Sequence, residues 1–247
     1  MPVQAPAQAV APPKQLQTTT GLPNVPVKPT PQSSVFKGCP PEGQGGDTAL
    51  NRLKNREDVA SQWIPVQFAA VAGLSYPDTI GRKRRADWTP AETEAIAQWE
   101  GIPIAVQGYL AGVRQEGKEA CNCEHTEADQ VDYHLWLTAE PGQGKRDSIV
   151  VEMTPRVRAR HPGWRVPQVQ ALVDNGDMVR ISGSLMMDQE HPEQVGKTRA
   201  TLWEIHPIMQ VEVLRDGHWV KLDDLQATGR LHDEAILPRM AFQASNH

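Results

Sequence analysis

Aromatic residues are scarce: 3 Phe, 3 Tyr and 7 Trp make up only 5% of the 247 residues. A core will claim most of the tryptophans, so few rings are left over for stacking on a ligand. Cysteine is scarcer still, with only Cys39, Cys121 and Cys123, too few for a disulfide-rich secreted scaffold. No apolar run reaches transmembrane length, so no membrane partner is expected. The first residues have neither the basic region nor the apolar stretch of a signal peptide. A cytoplasmic location is the expectation, or an exported one if a signal has been removed. Positive charge is also short. The net charge is −5 and the pI about 5.9, which excludes a general polyanion binder and leaves room only for a local basic patch. No HExxH, phosphate loop or Ser-His-Asp order is recognisable.

What the chain does have is organised in four stretches. Residues 1–34 are rich in Pro, Gln, Ala and Thr and cannot bury enough surface to offset their ordering entropy. They are expected to form a disordered, proline-rich tether. Residues 35–100 form an irregular and helical lead-in. It opens on Cys39-Pro40-Pro41-Glu42-Gly43 and continues to Asp47, a helix N-cap candidate. Arg52, Lys54 and Arg56 form the basic side of that helix. Arg82-Lys83-Arg84-Arg85 is a solvated loop that could also touch phosphates. Thr89-Pro90-Ala91-Glu92 has Thr as N-cap, Pro at the first position and Glu at the third, a clear helix start. Residues 101–225 are the main domain, and 226–247 a tail.

From Gly101 onwards the periodicity changes from helix to strand. Strands are expected at Ile102–Val113, Asp132–Thr138, Ser148–Thr154, Met178–Met187 and from Thr201 towards Val213, with a helix around Val166–Val173. Gly108, Gly112 and Gly183 lie inside strands, where glycine often marks a bulge or tight coil. The order β-β-β-α-β-β, with long loops after the first and fourth strands, resembles an OB-fold, a five-stranded Greek-key barrel. GCPPEG, LNRLKNR, Asn122-Cys123, VVEMTPR and WEIHP together resemble a group of uncharacterised bacterial proteins. That resemblance implies no activity.

Three constellations could carry chemistry. His134, Glu152, Glu204 and His206 fall on the polar faces of strands whose other faces are apolar. If the second and third strands form a hairpin, His134 and Glu152 become neighbours. His134, Glu152 and His206 are ligand types for Zn²⁺ or Mn²⁺, and the four could also supply a general base. His191 could swing over the same face. The plainer alternative is an outward polar face that meets only water. The second constellation is Cys121-Asn122-Cys123-Glu124-His125 with Cys39. It allows a Cys₃His zinc, a disulfide from Cys39 to Cys121 or Cys123, or free thiols. The third is basic: Arg156, Arg158 and Arg160 after the third strand, with Lys197 and Arg199 in the last loop. Tyr109, Trp136 and Trp164 are the candidate stackers. In OB-folds this face and these loops make a single-strand groove. The leading expectation is therefore single-stranded nucleic-acid binding, with a metal-dependent hydrolase or nuclease as the alternative and a protein-interaction module as the third.

Overall fold

The computed structural model describes residues 21–22 and 28–227. The lead-in holds α1 (Thr48–Lys54), β1 (Ile64–Val66), α2 (Phe68–Ala72) and α3 (Pro90–Ala97). The barrel strands are β2 (Pro103–Gln115), β3 (Tyr133–Thr138), β4 (Ile149–Met153), β5 (Met178–Met187) and β6 (Trp203–Arg215). The short helix α4 (Pro155–Arg158) and then α5 (Val166–Asn175) lie between β4 and β5, and β7 (His218–Lys221) and α6 (Leu222–Ala227) follow β6. No helix among the described residues is long and apolar enough to cross a membrane.

The strands run in the order β1-β2-β3-β4-β6-β5, and β2 also pairs with β5. That last pairing closes β2, β3, β4, β6 and β5 into a five-stranded barrel with the OB-like order expected from the sequence. All pairs around the ring are antiparallel except β4 with β6, which run parallel through Val151 and Ile205. β4 and β6 are thus neighbours although β5 lies between them in the chain.

Alternation explains the interior. Leu135 and Leu137 from β3, Ile149, Val151 and Met153 from β4, and Trp203 and Ile205 from β6 are buried in one core. The helix α5 adds Val169 and Leu172 and ends at Gly176, which takes a left-handed φ of 65°. Two strand glycines serve close backbone approach. A Cβ on Gly108 or Gly183 would sit 2.2 Å from the carbonyl oxygen of Thr138 or Pro207.

The lead-in forms as its caps predict. Asp47 accepts from the backbone of Ala49 and Leu50, and Thr89 with Glu92 makes a full capping box. β1, absent from the sequence expectation, adds in parallel to β2. The basic side of α1 is solvated only in part: Arg52 is exposed, but Lys54 and, just beyond the helix, Arg56 are buried, Arg56 against Asp58 at 2.6 Å. Three residues of the run at 82–85 form ion pairs, Arg82 with Glu193, Lys83 with Glu92 and Arg85 with Glu100. Most of the expected tether and tail lies outside the described residues. The ordered lead-in starts before residue 35, since Ser34 donates to Glu57 and Gln32 to Asp58.

Candidate metal centre

Register builds the site. In the β3–β4 hairpin, His134 and Glu152 are direct partners. The parallel pairing of Val151 with Ile205 then places Glu204 and His206 on the same outward face as Glu152. That face would ordinarily meet water. Here it is roofed by the lead-in and by the loop between β2 and β3. Gln44 N–H donates to Ala120 O at 2.8 Å, and Asn55 Nδ2 donates to Pro41 O at 3.0 Å and Cys121 O at 2.7 Å. A disulfide between Cys39 and Cys123, with the Cα atoms 5.7 Å apart, fastens the two layers. Glu204 and His206 are consequently 0% exposed. The outward face is therefore not a solvated strand surface, because a second layer covers it.

The four residues singled out on this face do meet. Glu152 lies between the two imidazoles, with Oε1 3.0 Å from His134 Nδ1 and Oε2 3.3 Å from His206 Nδ1. Glu204 Oε2 is 3.5 Å from His206 Nδ1, and Asp132 Oδ2 is 3.8 Å from His206 Nε2. Glu204 Oε1 accepts from Arg199 at 2.5 Å. Glu116 Oε1 stands 3.3 Å from His134 Nδ1. Asp132, Glu152 and His206 each place a donor atom within 4.8 Å of the others. His134 stands one step back, behind Glu152. Both ring nitrogens of His206, Asp132 Oδ1, Glu204 Oε2 and His134 Nε2 are buried without a hydrogen-bond partner. Buried polar atoms are nearly always satisfied, so this concentration of orphans is the most unusual feature of the barrel.

Electrostatics follow from burial. Desolvation first, and then the Glu152 charge, push the Asp132 carboxyl up to about 7. Burial likewise raises Glu152 and Glu119 to about 8 and lowers His134 to about 4, so its imidazole is neutral. Glu204 behaves oppositely: burial works to raise it, but the Arg199 guanidinium overrides that and holds it below the ordinary value. The pH dependence has a definite sign. Asp132, Glu152 and Glu119 bind protons more tightly folded than unfolded; His134, lowered to about 4, opposes them with one proton against three, so between about 4 and 8 the folded state carries more protons. Their contribution is present below that window and is lost as pH rises through it. In chelator, the urea midpoint is expected to fall steadily from pH 5 to pH 8. A flat or rising midpoint would contradict these assignments.

Two neighbouring sets share this region. Glu119, Cys121 and Asp132 also converge within 4.8 Å, as do Asp188, Glu190 and His191. The latter already holds a cation: Lys54 Nζ lies 3.2 Å from both Asp188 Oδ2 and Glu190 Oε2. His191 stays with that set rather than swinging over His206, and the loop after β5 is anchored, with Asp188 and Gln189 buried. A cavity of about 320 Å³, lined in part by Lys54, Lys118, Glu119, Cys121 and His191, opens next to the centre.

The basic constellation is dispersed. Thr154 caps and Pro155 starts α4, so Arg156 and Arg158 fan around a helical turn instead of lining one side of an extended loop. Arg156 is buried and donates to the carbonyls of Ser34, Cys39 and Pro40. Arg158 is buried, donates to Ala128 O and Val131 O, and lies 3.5 Å over the Tyr133 ring. Arg199 is committed to Glu204. Trp136 is nearly covered, with Lys145 Nζ 3.5 Å from its ring centre, and Trp164 is buried against His161. Among the five basic candidates, Arg160 and Lys197 remain exposed, and Arg160 pairs with Glu57 at 3.0 Å. The Cys₃His zinc does not form, because Cys39 and Cys123 are bonded to each other and Cys121 is left as a buried thiol.

Sequence reasoning missed Glu116, Glu119 and Cys121 as companions of the strand residues, and left Asp132 outside the site although it shares a face with His134. No known family model matches the chain, and no curated protein matches it.

Proposed function

We propose that this protein is a divalent-metal-dependent hydrolase whose ion, Zn²⁺ or Mn²⁺, is held by Asp132, Glu152 and His206 on the covered face of the barrel. The observation that carries this reading is His206: a fully buried imidazole whose two ring nitrogens make no well-aligned hydrogen bond although three carboxylates stand 3.3–3.8 Å away. One imidazole and two carboxylates are a donor set for these metals. Three protein donors are the count of catalytic zinc sites, which keep one position for water or substrate; structural sites use four. When bound, such an ion polarises a substrate oxygen or makes bound water nucleophilic near neutral pH.

The remaining residues orient this set. Arg199 fixes Glu204, and Glu204 faces His206 Nδ1, the kind of outer carboxylate that orients a ligating imidazole. His134 touches Glu152 and, being neutral, can exchange a proton with it. The 320 Å³ cavity beside Glu119 and Cys121 is the approach from solvent. The Cys39–Cys123 bond supports an oxidising compartment, and so an exported protein.

Purified protein is expected to hydrolyse activated esters or phosphodiesters, such as p-nitrophenyl acetate or bis-p-nitrophenyl phosphate. EDTA should abolish the activity and Zn²⁺ or Mn²⁺ restore it, and Glu152→Gln should lower kcat at least 100-fold. Turnover indifferent to EDTA, or retained by Glu152→Gln, would contradict the reading. Single-stranded nucleic-acid binding has weaker support, since Arg156, Arg158 and Arg199 spend their donors inside the protein.

A further inference from the structure

We infer that the centre is dinuclear, with Asp132 bridging a first cation on Glu152 and His206 and a second on Glu119 and Cys121. This rests on the metal reading above and extends it. The two donor sets are Asp132–Glu152–His206 and Glu119–Cys121–Asp132, and Asp132 is common to both. A carboxylate has two oxygens and can serve two ions. Oδ2 is the oxygen near His206 Nε2, at 3.8 Å. The Asn122 amide lies beside this carboxylate, yet Oδ1, in a side chain 1% exposed, is buried without a well-aligned hydrogen bond. It is the oxygen left for a second ion.

The second set is built rather than incidental. Cys121 sits on the 3-10 turn Ala120–Asn122, and lead-in residues hold that turn from outside. Gln44 N–H donates to Ala120 O, and Asn55 Nδ2 to Cys121 O. The adjacent Cys123 takes Cys39 into the disulfide, which leaves the Cys121 thiol reduced and buried. Only backbone of Cys121 is used by the Asn55 bond, so Sγ is available. Binding releases the thiol proton to solvent and forms the thiolate–metal bond, with no change of oxidation state. A thiolate among carboxylates favours Zn²⁺ over Mn²⁺ at this position. Glu119 and Cys121 also line the 320 Å³ cavity, so the second ion is the one a substrate meets first. Paired ions of this kind clamp both the attacking and the leaving oxygen in hydrolytic enzymes.

The full chain, stripped with EDTA and desalted, is titrated with Co²⁺ under non-reducing conditions. The expected result is two equivalents bound, with a thiolate-to-cobalt charge-transfer band. Cys121→Ser should remove the band and one equivalent, with the visible ligand-field absorption of the remaining ion retained. Glu119→Gln, which keeps the thiol, should weaken the second equivalent at least 10-fold and serves if Cys121→Ser fails to fold. One equivalent with no charge-transfer band in the wild-type protein would overturn the second site and leave the first. No bound cobalt would overturn both.

Discussion

Arg199→Ala is expected to cost about 3–5 kcal/mol of stability, the range for removing one partner of a buried ion pair. Arg199 is 1% exposed and Glu204 0%, so water cannot replace the lost guanidinium. The stranded Glu204 carboxylate would face Asp188 and Glu152, both of which already carry negative charge or resist it. In a chain of this size such a loss lowers Tm by about 10 °C. The cause can be separated from lost packing. Combining Arg199→Met with Glu204→Gln removes both charges and keeps most of the volume, and should recover more than half of the deficit. Urea unfolding in chelator is the measurement. If the single variant lost less than about 1 kcal/mol, the pair would have to be solvated, and the covered face would not be dry.

Removing the disulfide should have an effect of similar size for a different reason. Cys39 and Cys123 are separated by 84 residues. Chain-entropy arguments put the stabilisation from closing such a loop at about 4.5 kcal/mol. The doubly substituted Cys39→Ser/Cys123→Ser protein, or the wild type in reductant, is therefore expected to unfold at much lower urea. A second consequence follows from where the bond sits. It clamps the turn that carries Cys121 against the lead-in, so metal affinity should fall along with stability. An unchanged urea midpoint in reductant would show that the two layers hold together without it.

The barrel was legible because five apolar-rich segments of strand length, bounded by turn and loop residues, follow one another after Gly101. Met178–Met187 appears in the structure with the expected limits. The His134–Glu152 contact was legible as well, since a hairpin puts alternating positions opposite each other. The approach of Glu152 to His206 was not. It depends on β6 lying parallel beside β4, which comes from ring closure between strands distant in sequence. Nor did alternation reveal that the polar face is buried. A strand with one polar face looks the same whether that face meets water or a second protein layer. The buried Lys54 and Arg56 belong to that second layer, and their positions on an apparently basic helix face gave no warning.

Some misses did leave a trace. Thr154-Pro155 is the same cap-and-proline start as Thr89-Pro90, and it ends the strand before the arginines. Alternation of Arg156, Arg158 and Arg160 therefore could not place them on one side. Asp132 lies just before β3 and continues the face of His134, so the strand period reaches it. Glu119 and Cys121 stand in an irregular loop, where no period operates, and only the fold brings them to Asp132.

Whether His206 is a metal ligand decides the function of the covered face. Calorimetric titration of Zn²⁺ into the metal-free protein, beside His206→Ala, tests this most directly. The wild type should bind Zn²⁺ with at least 100-fold higher affinity than the variant, whose circular dichroism should show the barrel intact. Equal affinities, or no heat in either protein, would contradict the central claim and leave His206 as a buried imidazole among carboxylates.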